Sequence, residues 1–72
     1  MHPYYEEYPF GIVCCYDDGS HFHTEDMSSM KRAVEYANVK ANSTLSDQDF
    51  VQIVDNLNGG KVLKVVHRGE RI

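Results

Sequence analysis

Cys14, His21 and His23 are the residues of this 72-residue chain whose types and spacing come nearest to chemistry. Thiolate and neutral imidazole are preferred zinc donors, and histidines at i and i+2 of a strand point to one side. If that strand pairs with the one carrying Cys14, three ligands converge, and His2 or His67 would have to supply a fourth. No Cys-x-x-Cys or His-x3-His spacing accompanies the three. The same imidazoles titrate near neutrality, so a pH-responsive surface is the related reading. For catalysis, Cys14 or Cys15 beside His21 or His23 is the one nucleophile and base the chain offers. A β-hairpin in so short a chain leaves little room for a water-excluding pocket with an oxyanion site. The expectation is a protein that is not an enzyme, has no catalytic residues and needs no cofactor.

The elements that must position these residues read from hydrophobic period. "FGIVCCY" (10–16) is strand-like and ends at Asp17-Asp18-Gly19-Ser20. Asp-Gly between two such runs is a hairpin signal, with a two-residue turn at Asp18-Gly19. That turn sets Tyr16 against His21, Cys15 against Phe22 and Cys14 against His23. Val13, Cys15 and Phe22 then share the better core face, while Cys14, His21 and His23 share the other. From Met27 the period lengthens: Met27, Met30, Val34, Ala37 and Ala41 follow one helical face. A helix is predicted over 26–41, with Asp26 or Thr24 as its N-cap. "NSTLSDQD" (42–49) breaks the pattern as a polar loop. "FVQIVD" (50–55) and "KVLKVV" (61–66) are again strands around "NLNGG". Asn-Gly and Gly-Gly both offer turns, leaving the register open. With Gly59-Gly60 as the turn, Asp55 opposes Lys64 and Ile53 opposes Val66. The order is β-β-α-β-β, a small α+β domain: a four-stranded antiparallel sheet with one helix packed on one face. Residues 10–72 form this one domain, and residues 1–9 are an aromatic and acidic lead-in.

A sheet with one wet face should alternate apolar and polar residues. The second hairpin does not: Val51, Ile53, Val62 and Val66 are apolar to one side, Phe50, Val54, Leu63 and Val65 to the other. One helix covers one side, so the second needs the lead-in, another copy of the chain, or a different protein. The lead-in is well supplied, since "YYEEYPF" (4–10) holds four of the eight aromatic residues. Tyrosine and phenylalanine are also residues that interfaces favour. Charge is divided too. Residues 1–30 carry six acids and no Lys or Arg, whereas residues 31–72 carry seven bases and five acids. An acidic front half argues against direct nucleic-acid binding there and fits a basic partner protein. Tyr4, Tyr5, Glu6, Glu7, Tyr8 and Phe10, with Asp17 and Asp18, are the expected partner-binding surface. The basic C-terminal strand (Lys61, Lys64, Arg68, Arg71) is the alternative, for weak nucleic-acid contact.

The remaining bounds are negative. Adjacent Cys14 and Cys15 are poorly placed to bridge each other, so no disulfide framework is expected. The first residues lack the basic and apolar regions of a signal peptide, and no apolar run approaches the ~18 residues of a membrane span. Asn42-Ser43-Thr44 matches a glycosylation sequon but is discounted without a secretion signal. The expected setting is cytoplasmic, with reduced thiols. In length, acidity and hairpin-helix-hairpin order the chain resembles small proteins that bacteriophages and mobile elements use to bind and inhibit host machinery, including CRISPR effectors. That resemblance implies a small inhibitor occupying a surface of a larger, nucleic-acid-handling complex. Such a protein would be a monomer or a homodimer, with no membrane association.

Overall fold

The computed structural model describes residues 3–45 and 47–72. A short helix α1 (Pro3–Glu7) leads into strands β1 (Phe10–Cys15) and β2 (His21–Met27). Helix α2 (Met30–Ala41) follows, then β3 (Phe50–Asp55), a 3-10 turn (Asn56–Asn58) and β4 (Lys61–His67). The strands form one antiparallel sheet in the order β2-β1-β3-β4. The expected α+β architecture is therefore the observed one, with the two hairpins joined along β1 and β3.

The first hairpin turns differently from expectation. Tyr16 N–H donates to Ser20 O at 2.9 Å and Gly19 N–H to Tyr16 O at 3.1 Å, so the loop is the three residues Asp17-Asp18-Gly19. The two-residue turn would need positive φ at Asp18. In the three-residue loop only Gly19 takes one, at 90°. The Asp18 carboxylate accepts from Ser20 N–H at 2.8 Å and Ser20 Oγ at 2.6 Å, which holds its pKa below the ordinary value. The extra residue shifts the pairing to Cys15↔His21, Cys14↔Phe22 and Val13↔His23. A one-residue slip moves every side chain of β2 to the opposite face. Phe22 therefore joins Cys14, and the histidines join Cys15.

The core face is also the reverse of the expected one. Ile12, Cys14, Val51, Ile53 and Val66 are fully buried beneath α2, with Ala33 and Ala37. Alanines at i, i+4 and i+8 (Ala33, Ala37, Ala41) let the helix lie close, so the sheet supplies most of the core volume. The helix starts later than predicted because Glu25, Asp26 and Met27 pair with Ile12, Gly11 and Phe10 in β2. Ser29 is the N-cap, its Oγ accepting from Arg32 N–H at 3.2 Å.

In the second hairpin Asp55 caps the 3-10 turn, its carboxylate accepting from Leu57 N–H at 3.0 Å. The loop takes up Asn56 to Gly60, giving Asp55↔Lys61, Val54↔Val62 and, beyond a bulge at Leu63, Ile53↔Lys64 and Val51↔Val66. Neither Asp55 against Lys64 nor Ile53 against Val66 occurs. Val62 consequently lies with Val54 on the face away from α2, not with Val51 and Ile53.

Candidate interaction face

The face away from α2 carries His21, His23 and Asp26 on β2, and Gly11, Val13 and Cys15 on β1. Phe50, Gln52 and Val54 on β3 and Val62, Val65 and His67 on β4 complete it. Its β4 side is apolar and open: Val62 is exposed, Val65 and Phe50 half-buried, and the Phe50 and His67 rings lie 5.8 Å apart.

Its other end is closed by a polar cluster. The Asp26 carboxylate, almost fully buried, meets His23 Nε2 at 2.6 Å and accepts from Asn56 Nδ2 at 2.8 Å. Asn56 Nδ2 also donates to Tyr8 O at 3.0 Å, and Asn56 N–H donates to Pro9 O at 2.9 Å. Asn56 thus fastens the exit of α1 to the sheet. A hydrogen bond to Asp26 holds the Tyr4 pKa above its ordinary value, reinforced by desolvation and the carboxylate's charge. Gly11 makes room for the cluster. A Cβ there would lie 2.7 Å from Asn56 Oδ1, closer than such contacts come, and 3.1 Å from His23 Nε2, so both side chains would have to shift.

α1 itself is an aromatic platform. Tyr4 and Tyr8 lie one helical turn apart with ring centroids 5.0 Å apart, and Tyr5 meets Tyr4 edge-on at 5.6 Å. Tyr4, Tyr8, Glu6 and Glu7 are exposed and Tyr5 is half-buried. The structure separates the other residues expected to join them. Phe10 belongs to β1 and packs against the core. Asp17 and Asp18 lie at the far end of β1, about 20 Å away at ~3.3 Å per residue, where Asp17 N–H donates to the Asp49 carboxylate at 2.6 Å.

The zinc set is divided as well. Cys14 faces α2 while His21 and His23 face the other way, and no cluster of three metal-binding side chains exists among the described residues. His2 lies outside the described residues, and His67 sits on β4, at the opposite edge of the sheet from His21 and His23. Burial raises the pKa of both Cys14 and Cys15, which keeps them as thiols and makes them poor nucleophiles and poor ligands. Both are free. The basic residues are dispersed: Lys31, Arg32 and Lys40 on α2, Lys61 and Lys64 on β4, and Arg68 and Arg71 beyond it.

Sequence reasoning missed Asp26 and Asn56 as partners, because they meet only when β2 and the second hairpin flank β1. It also missed a shallow open recess of about 290 Å³ lined by Met27, Arg32, Glu35, Tyr36 and Val39. Among the described residues no helix is long and apolar enough to cross a membrane. No protein-family model, curated protein or solved structure matches the chain.

Proposed function

We propose that this chain is a non-enzymatic interaction domain that occupies a basic surface of a larger protein through Tyr4, Tyr5, Glu6, Glu7 and Tyr8. The observation that carries the reading is a fastened platform: α1 offers exposed tyrosines and carboxylates while Asn56 ties its exit to the sheet. Tyrosines bury area at low entropic cost, and a prepositioned helix loses little freedom on binding. The carboxylates steer encounter with Lys and Arg. Where the partner's basic groove normally holds nucleic acid, occupation by this domain excludes it. That is the action of a small inhibitor of the kind mobile elements encode.

The test is affinity purification from the source cells, with cross-linking to map the contact. The expected partner has a basic surface, cross-links to the 4–8 segment, and is lost on raising salt or on changing Tyr4→Ala with Tyr8→Ala. Binding that survives both tyrosine changes in a folded variant overturns the placement.

A further inference from the structure

The sheet has two unpaired edges, and they are matched. β2 and β4 are the outermost strands, each seven residues long, and they run in opposite directions. Glu25, Ile12, Ile53 and Lys64 form one row across all four strands, so Glu25 and Lys64 are the two ends of a single level on the same face. Both end residues are exposed. The bulges at Thr24 on β2 and Leu63 on β4 lie on either side of that row. Lys61, also exposed, adds charge to the β4 edge.

We propose that copies of this chain join edge to edge, β4 of one against β2 of the next, in an antiparallel joint where Lys64 meets Glu25 of the neighbouring copy. Each joint extends the sheet, satisfies open backbone N–H and C=O groups and keeps every α2 on one side. Like edges repel: β4 on β4 sets Lys61 and Lys64 against lysines, and β2 on β2 sets acid against acid. The lysines that discourage pairing between identical edges therefore select the acidic one. The joint is heterologous, so each added copy leaves both end edges free and assembly continues. The proposal does not depend on the α1 tyrosines binding a partner, although Tyr4 hydrogen-bonds to Asp26 on β2.

The experiment is sedimentation velocity of the purified protein over a range of protein and salt concentrations. At low salt the average mass is expected to climb past that of a dimer with concentration, and to fall toward 8.3 kDa at high salt. Glu25→Lys alone and Lys64→Glu alone, each checked for fold by circular dichroism, should weaken each joint roughly tenfold. An equimolar mixture of the two should restore the assembly, because unlike charges again meet at every joint. A wild-type mass fixed at the monomer value overturns the proposal. So does a closed dimer, or a mixture that associates no better than its components.

Discussion

The two faces of the sheet are built by different means. Beneath α2, Ile12, Cys14, Val51, Ile53 and Val66 are excluded from water, and the only polar side chain fully buried among the described residues is Gln48. It lies outside the sheet, donating to Lys40 O at 2.7 Å from the loop before β3. Among the described residues the opposite face has no second layer. One end is closed by the hydrogen-bonded group of Asp26, His23 and Asn56, and the β4 side is left with Val62 exposed and Val65 and Phe50 half-buried. Apolar burial resists loss of any one contact gradually, whereas a polar cluster in a low dielectric stands or falls on each member. The closed face therefore sets global stability, and the open face sets where α1 and its tyrosines stand.

The strongest way to break that contrast is on the closed side. Ile53→Ala should cost about 2–4 kcal/mol through lost transfer energy and an unfilled cavity, read from urea unfolding with an unchanged m value. On the open side, Gly11→Ala drives a methyl group into Asn56 and His23. The expected cost is smaller, about 1–3 kcal/mol. Its distinguishing sign is local, with increased hydrogen exchange and shifted tyrosine resonances in α1 while the core amides stay protected. Equal loss of protection in α1 and the core would erase the distinction.

The smallest effect belongs to the hairpin tip. The Asp18 pKa is lowered from 3.8 by bonds from Ser20, so its contribution is present above that value. It is lost as pH falls through the lower, folded-state pKa. Asp18→Asn should flatten that acid limb of the stability curve by lowering stability slightly at neutral pH, while leaving it little changed below the folded-state pKa.

Element order was legible because period changes are local: alternation in 10–16, helical spacing from Met30 to Ala41, and alternation again from Phe50. Register was not, because it depends on which turn the backbone prefers. Asp18 avoids positive φ, and the Asp55 cap selects a five-residue loop; neither choice alters the apolar pattern. Those two decisions separated Cys14 from the histidines and moved Val62 across the sheet. Five residues are too few for α1 to show a period, so its tyrosines could be named but not placed. Asp17 and Asp18 drew attention by composition alone, and β1 holds them at the far end.

The strand order has a kinetic consequence. Each hairpin closes locally, yet the sheet is whole only when β1 meets β3, which brings Cys14 beside Val51 across the length of α2. Until then Ile12 and Ile53 have no companion row, and α2 has only half a surface to settle on. Neither hairpin is thus a self-sufficient folding unit. The slow, committing event is the meeting of two preformed ribbons along their inner edges.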